Sequence, residues 1–117
     1  MKRAFLGLFG LALGASACGG AAVPQEQLTA AQAAIRAAEV GGAQNDPQAA
    51  LLVKKCTDGV AEAKKLIEDG NNHRAEMVLM RAQADAELAL ALAQEISMKN
   101  EAAGAKKQVQ ELKSRQQ

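Results

Sequence analysis

Few residues in this chain of 117 offer reactive side chains: two cysteines, Cys18 and Cys56, and a single histidine, His73. Cys18 follows three small residues, Ala15-Ser16-Ala17, and precedes Gly19-Gly20. Small side chains let a segment enter a narrow peptidase cleft, and a thiol is nucleophilic enough to form a thioether at neutral pH. Cys56 stands among apolar residues at helical spacing, where a free cysteine acts as a small hydrophobe and is expected to be sheltered. A redox or cross-linking role for it is the sharper but weaker reading. His73 has no second histidine or nearby cysteine to complete a metal-ligand spacing, so no metal is expected. Asp85 lies at the edge of an apolar helical face. It is read as pairing with Arg81 one turn earlier or with a base on another helix, and alternatively as an acid that recognises a partner. No second carboxylate shares a cleft with it, and neither a Gly-x-Ser-x-Gly elbow nor a phosphate-cradling glycine loop occurs. The sequence therefore points away from an enzyme and implies no cofactor.

The chemistry at Cys18 depends on what precedes it. Lys2 and Arg3 form a positive start, Ala4 to Leu13 an apolar stretch, and Gly14 to Ala17 a small-residue end. As a helix, Ala4 to Ala17 would reach about 21 Å, short of the roughly 30 Å hydrocarbon core of a bilayer. A cleaved export segment over residues 1–17 fits better than a transmembrane anchor. With its cysteine, the segment resembles a bacterial lipoprotein signal peptide. The resemblance implies that the Cys18 sulfur carries diacylglycerol, that cleavage occurs before it, and that its new amino group receives an acyl chain such as palmitate. Ala15 stands where that family commonly has Leu, and Ala15-Ser16-Ala17 also fits ordinary secretory cleavage, so a soluble periplasmic protein is the alternative. Gly19 after the cysteine, where Asp would favour the inner membrane, implies an outer-membrane, periplasm-facing location. Two or three acyl chains suffice for stable anchoring, because each buried CH₂ contributes only about 0.8 kcal/mol.

Removing residues 1–17 also takes Phe5 and Phe9, the only aromatics in the chain. The 14 basic residues lose Lys2 and Arg3 and come close to the 13 acidic ones. Near-neutral charge without aromatics argues against nucleic acid, which calls for a basic footprint and stacking rings. It argues equally against a small-molecule pocket, normally lined by large apolar side chains. The remaining Ala, Gln, Glu and Lys are helix formers.

Three helical patterns follow a short flexible tether at 18–25, whose glycines and small residues are expected to let the domain stand off the membrane without a defined orientation. The first, Gln25 to Val40, places Leu28, Ala31, Ile35 and Ala38 on one face, and Gly41-Gly42 stops it. The second opens at Asp46-Pro47, a cap followed by proline at the first helical position. Its stripe is Ala49, Leu52, Cys56, Val60, Ala63 and Ile67, and Gly70-Asn71-Asn72 ends it and caps the next. The third starts near His73 and meets no stop signal; its inner face runs from Ala75, Val78 and Leu79 through Ala82, Ala86 and Ala89 to Ala93 and Ile96. No strand pattern occurs. The expected fold is all-α, an elongated up-down-up three-helix bundle over 26–98 with a long C-terminal helix.

Residues 99–117 form a basic helical extension, in which Lys99, Lys106, Lys107, Lys113 and Arg115 outnumber Glu101 and Glu111. Met98, Ala102, Ala105, Val109 and Leu112 recur with four-three spacing, the seam of a coiled coil. About two heptads are too short to be stable alone. The extension is therefore expected either to order against a second helix, from another copy or an envelope partner, or to fray.

The Ala-rich first helix ending in Gly41-Gly42, the Asp46-Pro47 opening, Gly70-Asn71 and the run Ala82-Gln83-Ala84-Asp85-Ala86-Glu87-Leu88-Ala89 resemble the family called domain of unknown function 4398, over about Leu28 to Met98. Members of that family are often lipoproteins, and the resemblance implies an envelope setting without a mechanism. The expected function is a helical structural or interaction module at the outer membrane, with an accessory subunit of an envelope transport or secretion complex as the alternative. Expected partners are the membrane, through the lipid, and an envelope protein or a second copy.

Overall fold

The computed structural model describes residues 20–116. The export segment, Cys18 and Gln117 lie outside the described residues. Three helices are present, α1 (Gln25–Val40), α2 (Pro47–Glu68) and α3 (Asn72–Arg115), with a 3₁₀ turn at Ala43–Asn45 between the first two and no strand among the described residues. The fold is an all-α, up-down-up bundle. With 16, 22 and 44 residues, the helices span about 24, 33 and 66 Å at 1.5 Å per residue. The mismatch makes the molecule elongated.

Local chemistry sets the boundaries. Gly42 closes α1 in the left-handed region at φ 91°, a conformation costly for residues with a Cβ. At Gly41 an added Cβ would meet the tip of the Leu90 side chain of α3, which would have to turn aside. The Asp46 carboxylate accepts from the Ala49 backbone N–H at 2.8 Å and Pro47 takes the first helical position, so α2 starts where its cap and proline predict. At its other end Gly70 has φ 76°, and the Asn71 and Gly70 N–H groups donate to the carbonyls of Leu66 and Ile67 at 2.7 and 3.0 Å. That pair of bonds satisfies carbonyls a helix end leaves unpaired. The next helix has no side-chain cap, however: Asn71 makes no capping bond, and the Asn72 amide turns away to the N-terminal segment.

The core is built mainly of alanine. Among the described residues, Leu79 and Cys56 are the largest fully buried side chains, and no buried residue is polar or charged. One cluster surrounds Cys56 and Leu79 with Ala31, Val60 and Ala82; the other joins Ala38, Ala49, Val53 and Ala89, with Ile35 touching both. Small side chains let helices approach closely. At Gly59 an added Cβ would lie 3.5 Å from the Ala82 Cβ and 3.8 Å from the Val78 Cγ1, so α2 and α3 are only about one alanine side chain apart there. The apolar stripes match the periodicity with one adjustment: Val53 is buried in α2, whereas Leu52 and Ile67 are half-buried. Leu52 and Val53 are neighbours about 100° apart on the helix, and the narrow gap between Ala-rich faces accepts the smaller of the two.

Candidate functional site

Three places on this frame gather the residues singled out by their chemistry. The first is the end of the bundle where the chain enters. Gln25 begins α1 directly after Pro24, which is buried. The Asn72 amide Nδ2 donates to the Ala21 carbonyl at 2.6 Å, and Gln27 Nε2 donates to Glu76 Oε1 at 3.3 Å. These bonds fasten the incoming segment beside the α2–α3 turn. His73 stands at the same end, exposed, with its ring nitrogen 3.9 Å from Glu76. Cys18, the expected lipidation residue, lies outside the described residues, three positions before Ala21 in the sequence.

The second place is a groove of about 480 Å³ between α2 and α3. Lys55, Asp58 and Glu62 line one wall and Arg74, Arg81 and Asp85 the other. Gly59, Val78 and Ala82 line it between the two walls. Its charges alternate in sign, so it concentrates neither anions nor cations. Arg74 reaches Glu62 across it at 3.8 Å. Among the described residues no ion pair joins Asp85 to Arg81. Asp85 instead faces α2, close enough to act on Cys56. Burial pushes the Cys56 thiol above its ordinary range, and the negative Asp85 carboxylate adds to the shift. Such a thiol stays protonated and unreactive at neutral pH. The expected shelter of Cys56 is what the structure shows, with none of its surface exposed.

The third place is the free end of α3. The turn between α1 and α2 lies beside Ala93, Ile96, Ser97 and Asn100, which marks the top of the bundle. From Ser97 to Gln116 every residue of α3 and its cap is exposed. The five seam residues lie there with no neighbour: Met98 is 63% exposed, Val109 50% and Leu112 59%, and Ala102 and Ala105 are exposed as well. At 100° per residue the seam lies roughly 140° around α3 from the stripe that faces the bundle. The helix continues unbroken through Gly104.

Residues 26–105 match the family described as Domain of unknown function (DUF4398). The chain belongs to this family. The DUF4398 region takes in α1, α2 and α3 as far as Ala105, so it extends past the top of the bundle into the first half of the exposed seam. No curated protein and no solved structure matches the chain. Among the described residues no helix is long and apolar enough to cross a membrane, and no group of three acidic, histidine or cysteine side chains converges to hold a metal ion.

Proposed function

We propose that this DUF4398 protein is a cell-envelope lipoprotein, anchored through Cys18 at the outer membrane and facing the periplasm, whose bundle is a structural or interaction module. The observation that carries the reading is the run Ala15-Ser16-Ala17-Cys18 behind a basic start and an apolar stretch. Geometry lends it support. Ala21 is fastened at the α2–α3 turn, so a lipid on Cys18 has only Gly19 and Gly20 between it and the bundle. The three steps from Cys18 to Ala21 reach at most about 10 Å. A bundle tethered so closely stands with its α2–α3 turn toward the bilayer and the seam at its far end. At that end α3 carries its exposed apolar row away from the headgroups, where an envelope partner can meet it.

Metabolic labelling with a fatty-acid analogue tests the anchor. Wild type is expected to take the label and sediment with membranes, and Cys18→Ala to lose both properties. An exported, unlabelled, soluble wild-type protein overturns the anchor and leaves the soluble periplasmic alternative. Crosslinking in cells then tests the role: recovery of cell-wall fragments or of this chain favours a structural link, whereas recovery of a transport or secretion component favours an accessory subunit.

A further inference from the structure

The tip of α3 carries an interface whose partner can be argued from its own charges. With the seam written as a heptad, Ala102 and Val109 occupy a positions and Met98, Ala105 and Leu112 occupy d positions. The e positions beside the seam are then Lys99, Lys106 and Lys113, and the g positions Glu101, Gln108 and Arg115. In a parallel pair, each g side chain meets the following e side chain of the other helix. Glu101 thus meets Lys106 of the second copy, twice by symmetry, and Gln108 meets Lys113 without repulsion. In an antiparallel pair of tips, e faces e. Lys106 then faces Lys106, and Lys99 faces Lys113 twice, against which only Glu101 and Arg115 attract.

The core residues agree with the charges. A β-branched residue at a with leucine at d favours two parallel strands, and Val109 and Leu112 are that combination. Ala102 and Ala105 allow two backbones to come close beneath them. The five seam side chains are exposed and lie on the side of α3 away from the bundle, so a second helix reaches them without displacing α1 or α2. The first a position toward the bundle is Glu95, paired within its own chain to Lys99. It marks the lower limit of the apolar seam, while Leu88 and Ala91, exposed one heptad below, continue the stripe down the outer face of the bundle.

We propose that the tip of α3 pairs with the tip of α3 from a second copy of this chain, parallel and in register, along Met98, Ala102, Ala105, Val109 and Leu112. The proposal rests on the reading of the tip as an interaction surface; its charge and core arguments do not use the anchor at Cys18, which would only strengthen the pairing. A parallel pair has both incoming segments at the same end, so two copies tethered to one membrane meet without bending, and tethering raises their effective concentration. That offsets the shortness of the seam.

Single cysteines test the pairing in the full chain. Leu112→Cys and, on the outward side of the helix, Lys107→Cys are expressed in cells and treated with a short bis-maleimide; the unsubstituted chain reports the background from Cys18 and Cys56. A covalent dimer is expected with Leu112→Cys and at most a trace with Lys107→Cys. Lys106→Glu added to Leu112→Cys is expected to lower the dimer several-fold, and Glu101→Lys with Lys106→Glu to restore it. Absence of a Leu112→Cys dimer overturns the proposal. So does a heterodimer between coexpressed Ala102→Cys and Leu112→Cys chains in the absence of the Leu112→Cys homodimer, because only an antiparallel pair brings those positions together. Fatty-acid label on Cys18 is read in the same cells. Label without crosslink overturns the pairing alone, and crosslink without label overturns the anchor alone.

Discussion

α3 is one uninterrupted helix that serves in two environments. From Asn72 to about Ile96 it is the middle of a bundle, with Ala75, Leu79, Ala82 and Ala86 buried against α1 and α2. From Met98 to Arg115 the same helix has apolar residues at equally regular spacing and nothing against them. Alanine dominates the bundle face and supplies Ala102 and Ala105 of the seam. In the bundle it lets backbones meet, and stability comes from close packing around Leu79 and Cys56. At the tip the same small residues remain a surface until a second helix arrives. The difference lies in supply: α1 and α2 are too short to reach the end of α3, so helical periodicity alone does not tell a core from a contact surface.

Two leucines break or sharpen this contrast most strongly. Leu79→Ala removes the largest fully buried side chain from an Ala-rich interior that has little to collapse with. It is expected to cost about 3 kcal/mol, read as a lower midpoint in urea or thermal unfolding. Leu112→Ala is expected to leave the unfolding midpoint of the dilute monomer unchanged. A comparable loss at both positions would show that the tip folds back onto the bundle.

Caps and glycines come next. Asp46→Ala removes the bond to the Ala49 N–H and is expected to cost about 1 kcal/mol. Gly59→Ala acts in the opposite direction. Its new Cβ meets Ala82 and Val78 at ordinary contact distances, and replacing a mid-helix glycine removes a penalty of about 1 kcal/mol. Gly104→Ala carries the same local gain, with nothing within 4 Å of the new Cβ. The two are expected to differ in how the gain appears: Gly59→Ala raises the midpoint of the cooperative transition, while Gly104→Ala raises only the helical circular dichroism signal. A midpoint shift from Gly104→Ala would tie the tip to the bundle.

The smallest expected effect concerns alkaline pH. The folded state holds the Cys56 thiol above its ordinary value of 9.0, so the unfolded chain loses this proton first as pH rises. The contribution of the protonated thiol is complete below that ordinary value and is lost as pH climbs toward the folded one, by at most about 1.4 kcal/mol per pH unit of separation. Cys56→Ala should therefore show a shallower decline in stability above pH 9 than wild type, measured as midpoint against pH. Parallel curves would mean that the thiol ionises as readily in the folded bundle as in the unfolded chain.

Much of the fold was legible in local chemistry. The extent of α1, the Asp46-Pro47 start of α2 and the Gly70 stop each depend on one or two residues whose backbone demands are independent of the rest of the molecule. The family was legible as well, because the same punctuation and the Ala82 to Ala89 run carry it. The seam from Met98 to Leu112 was readable as spacing, and the charges beside it as heptad positions.

Tertiary structure alone decided the choices between near-equivalent faces. Val53 displaced Leu52 from the core, Asp85 turned to α2 and Cys56 instead of pairing with Arg81, and Asn72 became the first residue of α3, its amide holding Ala21. The physical reason is common to all three. Alanine buries so little area that neighbouring helical faces differ only slightly in hydrophobic gain, so the sequence of an Ala-rich helix specifies that it is helical far better than it specifies its rotation. The close approach of the helices, with Ala82 opposite Gly59 and Leu90 opposite Gly41, settled which side chains have a neighbour and which wait for one.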